Sequence, residues 1–178
     1  MRQKLIGRLG TMIACVLTIA GTTVAQSSAC TLPESLQKVV TSRYPGATLV
    51  SLADLSESDR VLFQKGHEGD CPGIVKVDFY GDGKPTLALV LIAGTGSKEK
   101  AELVVAHEVS QKWEITLLDE AKSSIPVAWS QGPGKYQDLY GEKTIRAKRP
   151  VIIFCGYNAW AILYSWTGTG LEKIWLRD

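Results

Sequence analysis

The chain is poor in the residues that commonly carry catalysis. Its two histidines, His67 and His107, have no cysteine, serine or second histidine beside them at a spacing typical of a catalytic pair. No C-x-x-C pair is present, which argues against a zinc site. A triad assembled by folding from distant residues stays open. These shortages favour a binding protein without catalysis and leave a small secreted hydrolase as the alternative.

The chain also lacks a second long apolar run. Its one such run, at residues 9–21, follows a basic start and precedes the small residues Thr23 and Ala25. This order is typical of a secretory signal peptide. We therefore expect residues 1–25 to be a cleaved leader and residues 26–178 to form a single globular domain. The mature chain should be periplasmic or secreted, with no insertion into a membrane.

An excess of charge of one sign is missing as well. Three of the 20 Lys and Arg residues lie in the expected leader, so the remaining 153 residues carry 17 of them against 18 Asp and Glu, a net charge of −1. A nearly neutral chain gives no electrostatic reason to bind nucleic acid or an anionic membrane. We expect the partner to be a protein, in an inhibitor or immunity-type role, or a glycan of the envelope.

Cysteine is scarce but informative. Cys30, Cys71 and Cys155 remain outside the leader. An oxidising compartment favours one disulfide and leaves one thiol. Because Cys155 lies in the apolar run "PVIIFCG", where a buried cysteine is ordinary, the sequence favours a Cys30–Cys71 disulfide.

Apolar periodicity predicts one helix near the start of the mature chain. The stretch "CTLPESLQKVVTSRYPG", residues 30–46, places Leu36 and Val40 on one stripe at helical spacing. Thr31 and Glu34 have the spacing of a capping box, in which the two side chains bond each other's backbone N–H groups. The polar segment that follows, residues 54–60, is predicted as a loop or a single helical turn.

A short strand is predicted at "ATLVSL", residues 47–52, and a longer series of strands from residue 74 onward. Short apolar or alternating runs separated by Gly-rich or polar breaks are typical of an antiparallel meander. A long irregular stretch at residues 119–149 holds one edge strand, "KTIRAK", and a second meander follows it. We therefore expect an α+β fold in which the N-terminal helix packs on a mainly antiparallel sheet of about seven or eight strands.

The clearest motif is "VDFYGDGKPTLALV", residues 77–90. It resembles the calcium loops of integrin-type FG-GAP repeats and related secreted bacterial repeats, which read roughly D-F-N-G-D-G-x-x-D-L-A. The matching positions are Asp78, Phe79, Gly81, Asp82, Gly83, Leu87 and Ala88. Tyr80 and Thr86 replace residues that normally supply ligands.

The resemblance implies a strand–loop–strand unit. It also implies a calcium site at Asp78, Asp82 and Thr86, which would make the chain a calcium-stabilised structural module. The alternative is a turn only, in which glycine permits positive φ and the Asp side chains bond the turn backbone. No other cofactor is expected.

Aromatic residues mark two possible binding surfaces. The 119–149 stretch contains Trp129, Tyr136, Asp138 and Tyr140, a mixture typical of recognition loops; the alternative is a covering loop with an edge strand. In "AWAILYSW", Trp160, Ile162, Tyr164 and Trp166 share one face of a strand, and Trp175 follows on the next. Such a row binds sugar rings or a protein when exposed. The apolar character of both faces favours the alternative, a core face packed on the helix.

Overall fold

The computed structural model describes residues 30–84, 86–94, 96–122 and 124–176. The expected leader lies outside the described residues. The helices are α1 (Glu34–Arg43) and α2 (Glu57–Gly66). The strands are β1 (Thr48–Leu49), β2 (Ile74–Val77), β3 (Thr86–Ala93), β4 (Lys100–Val109), β5 (Lys112–Ala121), β6 (Val127–Gln131), β7 (Gly134–Gln137), β8 (Thr144–Ala147), β9 (Val151–Gly156), β10 (Trp160–Trp166) and β11 (Leu171–Leu176). Neither helix is long and apolar enough to cross a membrane.

The strands form two larger sheets and one ribbon, and every pairing is antiparallel. The first sheet has the order β1-β3-β4-β5, with β2 also paired to β3. The second sheet has the order β11-β10-β9-β6, and β7 pairs with β8 in the ribbon. The runs β3-β4-β5 and β9-β10-β11 are the two meanders. The α+β class with a mainly antiparallel arrangement and an N-terminal helix is therefore confirmed.

Strand β3 of the first sheet is buried on both faces. Leu87, Leu89 and Leu91 of β3 join Leu36 and Val40 of α1 in one apolar cluster. The alternate residues of β3 belong to a second cluster, which they share with the second sheet. The order of layers is thus α1, first sheet, second sheet. Burial on both faces explains why β3 is an almost continuous apolar run.

Helix α1 begins later than its capping signal predicts. Its first residue is Glu34, its N-cap is Pro33, and no side chain caps it. In a capping box the glutamate is the third helical residue, from which it can reach back to the cap. Here Pro33, with φ −54°, occupies the cap position and Glu34 follows at once, so the predicted capping box is wrong.

Helix α2 is longer than the single turn that its sequence suggests. The hydroxyl of Ser56 accepts the N–H of Asp59, an N-cap that starts the helix. Only Phe63 is fully buried, while Val61 and Leu62 are exposed. One buried residue cannot produce a helical repeat of apolar positions, which is why the sequence predicts a loop or a single turn at residues 54–60.

The stretch at residues 119–149 is not irregular. It contains the end of β5, the strand β6 and the whole ribbon, in which "KTIRAK" is β8 as predicted. Strand β6 pairs with β9, so that Val127 lies opposite Cys155. The ribbon strands are four residues each; β8 buries alternate residues, and β7 only partly buries them. Short strands of this kind account for the described strands beyond the expected seven or eight.

The disulfide joins Cys30 and Cys71, with an S–S distance of 2.12 Å. It ties the residues that precede α1 to those that precede β2. Cys155 lies outside the disulfide, buried on β9. The favoured pairing is therefore confirmed.

Candidate functional site

The Asp/Gly loop between β2 and β3 is organised by its own backbone. The Oδ1 atom of Asp78 accepts the N–H of Gly81 at 2.8 Å, and Oδ2 accepts the N–H of Gly83 at 3.3 Å. Both glycines have positive φ, +69° and +77°. One carboxylate thus closes a turn that only glycine adopts without strain, the geometry expected of a turn motif.

Asp82 connects the loop to the first sheet. Its Oδ1 accepts the N–H of Lys84 at 3.0 Å, and its Oδ2 lies 3.2 Å from Nε2 of His107. The Lys84 N–H lowers the pKa of Asp82, and the nearby His107 and Lys84 charges add to this effect. The Nδ1 atom of His107 lies 3.5 Å from Oγ1 of Thr86.

This Asp–His–Thr chain has the residue types of a catalytic triad, but it cannot work as one. Thr86 has an exposed fraction of 0%, so an external substrate cannot reach its hydroxyl. The contacts of Asp82 with His107 and of His107 with Thr86 instead hold the loop against β3 and β4. The calcium ligands implied by the resemblance are therefore engaged with protein groups, and the described residues contain no group of three or more His, Cys, Asp or Glu arranged to hold a metal ion.

We expect calcium to leave the melting temperature of the protein unchanged. A ligand present at 100 times its dissociation constant would add about 2.7 kcal/mol, which for a chain of this size raises the melting temperature by several degrees. Calorimetric melts in EDTA, in ~1 mM magnesium and in ~1 mM calcium test this expectation. A rise specific to calcium that Asp82→Asn abolishes would instead establish the site.

The same loop closes one end of the core between the two sheets. A Cβ atom built on Gly81 would lie 2.1 Å from Nε of Arg149, and one on Gly168 would lie 3.7 Å from Nη1 of the same side chain. The ring of Tyr80 contacts the rings of His107 and Trp166, at centroid distances of 4.6 Å and 5.1 Å. The loop is thus a packing element, and its glycines leave room for Arg149.

The aromatic row of β10 faces the first sheet. Ile162 and Tyr164 are buried in the cluster shared by the two sheets, and Trp160 and Trp166 are partly buried at its ends. The hydroxyl of Tyr164 donates to Oδ2 of Asp119 on β5. The row is therefore largely core, but it packs between the sheets and not on α1, because α1 covers the opposite face of the first sheet.

A cleft opens at the Trp160 end of this row, between the edge strands β5 and β11. Its volume is about 320 Å³, and Trp160 and Trp175 line it beside Phe154. The two indoles lie edge to face, with centroids 6.5 Å apart and an interplanar angle of 75°. Trp175 is 49% exposed. We call this the Trp160–Trp175 cleft.

One of the polar side chains that line the Trp160–Trp175 cleft, Asp119, is held in place by hydrogen bonds. The Oδ2 atom of Asp119 accepts hydrogen bonds from Tyr164 and, at 2.8 Å, from Nζ of Lys173. Burial raises the pKa of Asp119, but the bonds from Lys173 and Tyr164 outweigh it, and the net pKa lies below the ordinary value. Burial, and then Asp119, raises the pKa of Tyr164. The cleft therefore holds a charged carboxylate at neutral pH, and the buried phenol of Tyr164 behind it stays neutral.

Such a site can bind a ligand more readily than it can catalyse. A carboxylate with a lowered pKa is a weak base and is not protonated near pH 7, whereas glycosidase chemistry needs a carboxylic acid with a raised pKa. Flat indole faces beside fixed hydrogen-bonding groups suit a ligand with one apolar face and polar edges.

Comparisons with protein-family models, with curated proteins and with solved structures found no match.

The four binding residues predicted in the 119–149 stretch do not form one site. The ring of Trp129 contacts His67 and Tyr157, so it lies beside the C-terminal end of α2 and lines a different cleft of about 390 Å³. The hydroxyl of Tyr136 on β7 donates to the carbonyl of Gly132, which lies between β6 and β7.

Asp138 and Tyr140 lie at the tip of the ribbon. Asp138 accepts the N–H of Lys143 at 3.0 Å, and Tyr140 is 78% exposed. Leu139, between them, donates its N–H to the carbonyl of Trp175 at 2.8 Å. The ribbon tip is thus attached to the strand that forms the Trp160–Trp175 cleft.

Sequence reasoning missed the polar half of the cleft. Asp119 and Lys173 are 54 positions apart, and only the approach of β5 to β11 brings them together. The aromatic half had a visible signal, because the meander pairing places Trp175 opposite Ile162 of the aromatic row.

Proposed function

We propose that this chain is an exported, non-catalytic protein that binds a glycan of the envelope through the Trp160–Trp175 cleft. The observation that carries the proposal is Trp175, half exposed beside Trp160 above the Asp119–Lys173 pair. An indole face covers the C–H face of a sugar ring, and the carboxylate and ammonium groups accept from and donate to its hydroxyls. The Cys30–Cys71 disulfide supports export.

The shape of the site favours a glycan over a protein. A stable protein interface covers roughly 800 Å² on each partner, usually as a broad surface. The Trp160–Trp175 cleft is instead a concave site of about 320 Å³, at the lower end of ligand-pocket sizes. The two carboxylates and the two ammonium groups that line it sum to no net charge, so they attract no partner of one sign.

The hydrolase alternative would use the other cleft, of about 390 Å³. His67, Asp70 and Ser130 line it, and burial lowers the pKa of His67 although Asp70 opposes this effect. A neutral imidazole suits a general base. However, within the described part of the chain no hydrogen bond joins these three side chains. The arrangement therefore lacks the contacts that orient a nucleophile and its base.

We expect Trp175→Ala to weaken glycan binding about tenfold, because truncating a central aromatic contact typically costs more than 1 kcal/mol. The measurement is a calorimetric titration with β-1,4-linked tetramers of N-acetylglucosamine and of glucose. The matched control is Leu171→Ala, which removes another exposed apolar side chain of β11 that does not line the cleft. Equal affinities for Trp175→Ala and the native protein, at equal melting temperatures, would contradict the proposal.

A further inference from the structure

The Trp160–Trp175 cleft does not end at Trp160. A second cleft of about 230 Å³ adjoins it, because Ala121 and Lys122 line both. Lys100, Ser124 and Ile125 line the far side of the second cleft. Together the two clefts form one groove along the end of β5, with indoles at one end and polar groups at the other. We call this the β5 groove.

The charges of the β5 groove balance. The described residues that line it include three carboxylates and three ammonium groups, namely Glu99, Asp119, Glu120, Lys100, Lys122 and Lys173. Lys100 pairs with Glu120 at 2.8 Å, and Lys173 pairs with Asp119 at 2.8 Å. A groove without net charge gives an acidic or basic ligand no advantage over a neutral one.

Lys122 occupies the junction of the two clefts. Its side chain is exposed, and among the described residues it has no ion-pair partner. An ammonium group donates up to three hydrogen bonds, so Lys122 is available to hydroxyl oxygens of a ligand that crosses the junction. Trp160 and Trp175, by contrast, line only the first cleft.

We infer that the β5 groove binds a neutral oligosaccharide through at least two consecutive sugar rings. One ring lies against Trp175 and Trp160, and the next lies in the second cleft and accepts a hydrogen bond from Lys122. This inference rests on the proposed function and adds the ligand's charge class, its minimum length and the residue that recognises the second ring. A single sugar would fill only the indole end.

The test is a chain-length series. The purified protein is titrated with the mono- to tetrasaccharides of β-1,4-linked N-acetylglucosamine and of glucose. We expect the affinity to rise about 5-fold or more from the monosaccharide to the disaccharide or trisaccharide, since each added hydrogen bond contributes roughly 2- to 10-fold. Lys122→Ala should remove most of this rise and lower monosaccharide affinity by a smaller factor, because Lys122 also borders the first cleft. Lys112→Ala, at the other end of β5, is the matched control and should behave as the native protein.

The outcomes separate the two proposals. Equal affinities for one ring and for three, with Trp175→Ala still harmful, would overturn the two-ring inference and keep the glycan-binding function. Tighter binding of an oligogalacturonate than of its neutral methyl ester would overturn the neutral-ligand inference alone. Absence of binding to both neutral series and to the oligogalacturonate, or indifference to Trp175→Ala, would overturn the proposed function itself.

Discussion

Replacing both Cys30 and Cys71 with serine is expected to lower the free energy of unfolding by about 4 kcal/mol. The disulfide closes a loop between residues 41 positions apart, and most of its effect is to restrict the unfolded chain. For a protein of this size the loss corresponds to a fall in melting temperature of about 8–16 °C. Calorimetric melts of the native and double-serine proteins measure it directly.

The position of the disulfide predicts where the structure loosens first. Helix α1 is attached to the first sheet mainly through Leu36 and Val40, its two fully buried residues. The indole N–H of Trp113 on β5 donates to the hydroxyl of Ser35 on α1, at 3.0 Å. The fluorescence of Trp113 should therefore change before the main transition when the disulfide is absent.

Reductant supplies the control for the disulfide prediction. A reducing agent should lower the melting temperature of the native protein to that of the double-serine variant and leave the variant itself unaffected. A loss of less than about 1 kcal/mol in the variant would show that restriction of the unfolded chain contributes little here.

The parts of the fold that could be predicted are those set by local pattern. Alternating and continuous apolar runs identified β3, β4, β9 and β10, because these strands are buried on at least one face along their length. Strand β6 was missed because its partner β9 lies beyond the ribbon in the sequence, so nothing local marks the pairing. Helix α2 was predicted as a loop or a single helical turn because one buried phenylalanine makes no apolar stripe.

The candidate site likewise has a part that the sequence pattern predicts and a part that it does not. Trp160 and Trp175 could be located from the strand period, whereas the exposure of Trp175 could not, since it depends on the position of β11 at the edge of the second sheet. Asp119, Tyr164 and Lys173 come from three strands of two sheets. No spacing in the sequence indicates that these three side chains lie together, so a sequence pattern cannot predict a polar site between two packed sheets.

The Asp/Gly loop shows the opposite case. Its local motif is strong and its resemblance implies a calcium site, but its residues make the contacts of a structural turn. Asp78 and the positive-φ glycines Gly81 and Gly83 make the turn, and Asp82 fixes it on His107. Every conspicuous residue of the motif thus has a structural contact. The functional candidate lies at the other end of β10, where the sequence has no comparable motif.

Gly73→Ala should destabilise the protein by about 3 kcal/mol, the upper part of the usual range for overpacking a closed core. A Cβ atom at position 73 would lie 2.3 Å from the carbonyl oxygen of Val50 and 2.9 Å from its nitrogen. Both are backbone atoms and cannot rotate away. The expected fall in melting temperature is about 6–12 °C.

Hydrogen bonds prevent the backbone at Gly73 from moving aside. Val50 donates its N–H to Val90 at 3.0 Å, and Val90 donates its own N–H to Gly73 at 3.0 Å. A methyl group at Gly73 must therefore stretch a ladder that joins three segments of the first sheet. Weakening these buried bonds is part of the expected cost of about 3 kcal/mol, since a lost buried hydrogen bond alone costs about 1–3 kcal/mol.

The matched control for Gly73→Ala is Gly66→Ala. Gly66 is the last residue of α2, and nothing lies within 4 Å of the position its Cβ would take. Alanine there restricts the unfolded chain and favours the helix, so we expect equal or slightly greater stability, by up to about 1 kcal/mol. A melting temperature of Gly73→Ala within about 2 °C of that of Gly66→Ala would contradict the prediction, because it would show that the first sheet accommodates a methyl group beside Val50.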